Sequence, residues 1–142
     1  MNKKRILLAL CVIPFLCLAA LIGKPRGNVS HADRVAGYSA LYNEAMIHEA
    51  FDVIETRFAA DFAGCTLLEL RYDADVENRF ADAIAEHAAK TGQELIIILS
   101  AFETDENGGD GGFNPNDTYA NWQWHLVRTA DKHGWEIISW GY

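Results

Sequence analysis

Glu94-Leu95-Ile96-Ile97-Ile98-Leu99-Ser100-Ala101-Phe102 is the stretch on which the fold turns. Its run of aliphatic residues has strong β propensity and reads as a strand. Two more strands follow it: residues 119–128 alternate in character, and residues 135–142 close the chain. Upstream, residues 66–72 also alternate, with Leu68, Leu70 and Tyr72 expected on one side and Glu69 and Arg71 mostly on the other, as in a half-buried strand.

Helical spacing fills the gaps between these strands. Leu41, Ile47, Phe51, Ile54, Phe58 and Phe62 recur at mostly three- and four-residue steps and predict a helix that ends at Gly64. A second helix is expected with Asp75 as its cap, Val76, Phe80, Ile84 and Ala88 on its apolar face, and Gly92 as its stop. The order helix, strand, helix and three strands predicts an α+β domain, two helices packed on one face of a four-stranded, mainly antiparallel sheet. That order resembles the cone-like nuclear-transport-factor and cystatin type of fold, a resemblance that carries no function. Phe51, Ile54, Phe58, Leu68, Ile97 and Trp124 are expected in one core.

The chain has 142 residues, half of them apolar, enough for one domain. Met1-Asn2-Lys3-Lys4-Arg5 precedes an uncharged apolar run over residues 6–22, the pattern of an export leader or membrane anchor. Three basic residues before the run and Lys24 and Arg26 after it favour a domain outside the cytoplasm, anchored in the membrane or secreted. Residues 24–38, with Pro25, Gly27, Asn28, Ser30, Asp33 and Gly37, read as a linker, leaving 39–142 as the domain. Beyond the leader, nine basic residues face twenty acidic ones. That balance argues against nucleic-acid binding, which rests on Lys and Arg releasing counterions from phosphates.

Cys11 and Cys17 lie in the leader, so Cys65 is alone in the domain and reads as a small buried hydrophobe. Residues 103–118, Glu-Thr-Asp-Glu-Asn-Gly-Gly-Asp-Gly-Gly-Phe-Asn-Pro-Asn-Asp-Thr, form a long polar loop between two strands. Asp105, Asn107, Asp110, Asn116 and Asp117 offer hard oxygen ligands among glycines, the chemistry of a weak calcium site. The spacing is not that of an EF-hand, and a self-capped turn is the alternative reading. No other cofactor is expected.

All four tryptophans, Trp122, Trp124, Trp135 and Trp140, fall near the carboxyl terminus, and Trp122, Trp124 and Leu126 share one strand face. Such a stripe is core, unless a pair faces solvent as a platform for sugars or an anchor for a peptide. Glu44, His48 and Asp52 follow one another at helical steps but lie on the polar side of the helix. No nucleophile elbow and no phosphate-binding glycine loop is present.

Several blocks carry a family resemblance: Phe62-Ala63-Gly64-Cys65-Thr66-Leu67, Ile97-Ile98-Leu99-Ser100-Ala101-Phe102, Gly108-Gly109-Asp110-Gly111 with Asn114-Pro115-Asn116, and residues 122–128 with Trp135 and Trp140-Gly141-Tyr142. From about residue 44 to the end, the chain resembles a family of small exported proteins of Gram-positive bacteria, often lipoproteins, that has no established activity. Phe15-Leu16 before Cys17 departs from a lipid-attachment motif. The expected function is a non-enzymatic extracytoplasmic binding or accessory domain for a protein, peptide or envelope ligand. A small hydrolase or isomerase with an internal pocket is one alternative. A peptide binder or protease inhibitor using a sheet edge or the 103–118 loop is the other.

Overall fold

The computed structural model describes residues 26–129, 131 and 133–142. The leader expected over residues 1–23 lies outside the described residues. Within them, no helix is long and apolar enough to cross a membrane.

Five strands form one sheet: β1 (Asp33–Ala36), β2 (Cys65–Tyr72), β3 (Glu94–Thr104), β4 (Thr118–Arg128) and β5 (Glu136–Gly141), lying side by side in chain order. Three helices accompany them: α1 (Glu44–Asp61), α2 (Ala74–Arg79) and α3 (Ala81–Thr91). The α+β class is as expected, but three details differ from the sequence reading. The sheet has five strands rather than four, it is mixed because β1 runs parallel to β2, and the predicted second helix is two.

The extra strand comes from the segment read as a linker. The amides of Asn28 and Gly37 donate to the carbonyls of Cys65 and Tyr72, at 2.9 and 2.8 Å, and the amide of Leu67 donates to the carbonyl of Asn28 at 2.8 Å. This segment lies at the sheet edge, where backbone bonds to β2 hold it whatever its side chains. Arg34 on β1 clamps it to α1 through Glu55, at 2.6 Å, and Asp52, at 2.7 Å.

Helix α1 starts where Asn43 Oδ1 accepts from the Met46 amide at 3.0 Å, so Leu41 lies ahead of the helix and is 53 % exposed. Ile47, Ala50, Phe51, Ile54 and Phe58 then face the sheet and are fully buried. Asp73, not Asp75, caps α2: its Oδ1 accepts from the amides of Asp75 and Val76. The helical path breaks at Phe80, which ends α2 and precedes α3, and Gly92 stops α3 in the left-handed conformation at φ +70°.

The helices do not share one face. Ile96, Ile98, Phe102, Trp124 and Leu126 join the core beneath α1, whereas Leu95, Ile97 and Val127 form a smaller cluster with Ile84 of α3. Successive side chains of a strand point to opposite faces, so the run from Leu95 to Ile98 buries both sides of the sheet. Of the six residues expected in one core, Phe51, Ile54, Phe58 and Trp124 belong to it, Ile97 lies across the sheet, and Leu68 is only half-buried. The β2–β3 register shifts between Leu67 and Glu69, making Leu68 the extra residue of a bulge, and Leu67 takes the core position instead.

Candidate functional site

The loop between β3 and β4 is built on Asp105. Its Oδ1 accepts from the amides of Asn107, at 3.0 Å, and Gly109, at 2.9 Å. Its carbonyl accepts from Gly108, at 3.1 Å, and Asn116, at 2.8 Å. The remaining expected ligands are turned to similar use. Asp110 Oδ1 accepts from the Gly112 amide, while Asp117 accepts from the Thr118 amide and from Asn114 Nδ2. The backbone bonds therefore gather Asn107 and Asn116 around Asp105, whereas Asp110 and Asp117 cap turns of their own. Among the described residues, no group of three or more His, Cys, Asp or Glu side chains is placed to hold a metal ion.

Phe113 anchors the loop, its ring 5.8 Å from Phe62, 5.3 Å from Phe102 and 5.1 Å from Tyr119. Gly64, at φ +75°, lets the loop lie against the turn after α1: a Cβ there would stand 2.8 Å from Gly109 Cα. Burial pushes the Cys65 thiol up to about 11, with the carboxylates of Asp105 and Asp110 acting in the same direction. A thiol so held is inert at neutral pH. Replacing Asp105 with alanine strands two amides and is expected to destabilise the loop by about 1 kcal/mol with or without calcium. Hydrogen exchange at Asn107 and Gly109 checks this, and unchanged protection there would count against the carboxylate as organiser.

A second polar cluster is centred on Glu77 of α2. Glu77, 8 % exposed, accepts from the Ser39 hydroxyl, from the Tyr72 hydroxyl at 2.9 Å and from the Ala40 amide at 3.0 Å. Burial pushes its carboxyl up, but these hydrogen bonds and that of the Leu41 amide outweigh it and hold the group below the usual glutamate range. Both oxygens are engaged, so this shielded carboxylate fastens residues 39–41 to α2 and the core. His48 pairs with Glu44 at 3.6 Å on the outer face of α1. His125 is held below the ordinary histidine range by burial and by nearby His87.

The feature that sequence reading missed is a groove between α1 and β5. Its volume is about 580 Å³, with Asp52, Val53, Thr56, Arg57 and Ala60 on one wall and Trp135, Glu136 and Ile137 on the other. Trp135 is locked in place, its Nε1 donating to the Met46 carbonyl at 2.9 Å and its ring meeting that of Tyr42 edge-on at 5.4 Å. Arg57 reaches across: its guanidinium lies 5.7 Å from the Trp140 ring while Nη1 donates to Asp61 at 3.2 Å. Strand β5 ends the sheet, so one side of its backbone has no strand partner. Ile138 is 51 % exposed, Trp140 41 % and Tyr142 74 %. The four tryptophans thus divide, with Trp124 and Trp135 buried, Trp122 half-buried and Trp140 at the surface beside the groove.

Compared with family models, curated proteins and solved structures, the chain finds no match in any of the three.

Proposed function

We propose that this domain is a non-enzymatic binding module, working outside the cytoplasm, that takes an extended peptide segment as an additional strand on the open edge of β5. The observation that carries this reading is the groove of about 580 Å³ between α1 and the first residues of this edge strand, Glu136 and Ile137. Main-chain groups of an edge strand supply affinity to an added strand, and a neighbouring pocket selects alternate side chains. Edges meant to stay unpaired are usually blunted with lysine or proline. The β5 segment Glu136-Ile137-Ile138-Ser139-Trp140-Gly141 has neither. Side chains of the added strand pointing toward α1 would meet Val53, Ala60, Trp135 and Ile137.

An enzymatic reading has less support, because the best-shielded carboxylate, Glu77, already has both oxygens taken by protein donors. The apolar hollow next to it, about 390 Å³, is lined mostly by alanines and aliphatic residues.

Fluorescence anisotropy tests the proposal, with labelled nine-residue peptides of alternating apolar and polar residues titrated with the detergent-solubilised full chain. Methylating alternate peptide amides removes two or three edge hydrogen bonds and is expected to weaken binding about tenfold or more. Ala60→Arg, at an exposed helix position in the groove wall, is expected to do the same while leaving the melting temperature nearly unchanged. Equal affinity for methylated and unmethylated peptides would exclude strand addition.

A further inference from the structure

Helix α3 rests on the sheet through a small contact. Ile84, with Phe80 beside it, meets Leu95 and Ile97 of β3 and Val127 of β4. Two histidines border this contact from opposite sides. His87 follows Ile84 by three residues, so it lies on the same side of α3, and its Nε2 is buried with no hydrogen-bond partner among the described residues. His125 comes from the sheet: it stands opposite Ile97 in the register, on the face that α3 covers, and its Nε2 is 3.1 Å from Gln123 Oε1. The other charged groups are occupied or turned away. On α3, Asp82 is exposed and Glu86 is paired with Lys90, while Glu94 of β3 is paired with Arg128 of β4 at 2.8 Å. On β5, Ser139 stands opposite His125, and Glu136 stands opposite Val127.

We infer that the seat of α3 is an acid-sensitive latch, in which imidazolium charge on the facing pair His87 and His125 loosens the helix from β3 and β4 while α1 and the main core hold. Both nitrogens of a charged imidazole are donors, so a proton gained by His87 leaves Nε2 as a buried charged donor without an acceptor. Charge on both rings adds repulsion across the helix–sheet contact. Of the surrounding charges, that of His87 acts on His125, against protonation and in the same direction as burial. The apolar contact that must resist this is slight, since Ile84 is the one buried residue that α3 contributes. Helix α1, with five buried residues in the main cluster, carries no such pair toward the sheet.

Native-state hydrogen exchange on the detergent-solubilised full chain tests the inference. Protection of the α3 amides relative to those of α1 is expected to fall about threefold or more between about pH 7.5 and about pH 5.5. The sign follows from His125. It is held below the ordinary histidine value of 6.5, so it takes a proton more readily once released, and its contribution is complete above that value and lost as pH falls below it. Glu77 does not enter this window, because its own loss begins in the glutamate range. His87→Gln and His125→Gln are each expected to flatten the dependence, and in His87→Gln the proton NMR titration of His125 should move to higher pH. Equal relative protection of α3 at both pH values, an unchanged dependence in both variants, or a His125 midpoint that stays in place in His87→Gln overturns the latch.

Discussion

Replacing Phe58 with alanine is expected to destabilise the domain by about 3 to 5 kcal/mol, the range for emptying a fully buried aromatic site. Phe58 is inaccessible to solvent, stacks on Phe62 with ring centroids 4.6 Å apart and meets Phe102 edge-on at 5.7 Å. The cavity would open where α1, the sheet and the amino-terminal segment converge, since the Gly27 amide donates to Ala59 of the same helix at 3.1 Å. Aromatic neighbours are rigid and collapse poorly into a void, which places the cost in the upper part of the range. Stabilities of single domains are about 5 to 15 kcal/mol, so the variant should be close to unfolded at room temperature. Urea unfolding followed by tryptophan fluorescence gives the value. A loss below about 1 kcal/mol would mean that Phe58 is not packed as described.

The second large effect is expected at Glu77, where alanine leaves the Tyr72 hydroxyl, the Ser39 hydroxyl and the Ala40 amide without their acceptor. Tyr72 is fully buried, so its hydroxyl has no water to turn to, and the loss is expected at about 2 to 4 kcal/mol. Acid provides an independent check. The Glu77 carboxyl is held below its ordinary range, so in the unfolded chain it binds a proton more readily than in the folded one. Its contribution is therefore complete above the ordinary glutamate range and is lost as pH falls through the lowered folded value. The stability gap between the natural chain and Glu77→Gln should be constant near neutral pH and shrink below about pH 4. A gap that widens in acid would reverse the sign of the assignment.

Much of the fold was legible in local spacing. Period-four recurrence from Ile47 to Phe58 marks α1 because a helix can bury only one stripe, and the aliphatic run from Leu95 marks β3 because β-branched side chains suit a pleated surface. Gly92 ended a helix as glycine does, by entering the left-handed region at φ +70°. The loop's density of Asp, Asn and Gly was equally visible, but the same residue types serve cation ligation and turn capping, so composition does not choose between them. What composition could not show is that Asp105 Oδ1 accepts from the amides of Asn107 and Gly109.

Other features are pairings between distant segments, and local pattern does not carry them. Strand β1 has no apolar signature because its bonds to β2 are made by backbone, which every sequence possesses. The bulge at Leu68 exchanges which leucines face the core, and nothing within residues 66–72 announces it. The placement of α1 and α3 on opposite faces depends on which apolar residues of β3 each helix covers. The groove is the extreme case, since its walls come from residues 52–60 and 135–137, and its open edge exists only because β5 is last in the sheet. By itself the sequence determined the class, the main elements and the acidity of the domain, because propensity, periodicity and charge are properties of neighbouring residues. The tertiary structure alone decided the sheet order, the two-sided core and the groove, because each depends on surfaces that meet only after the chain has folded.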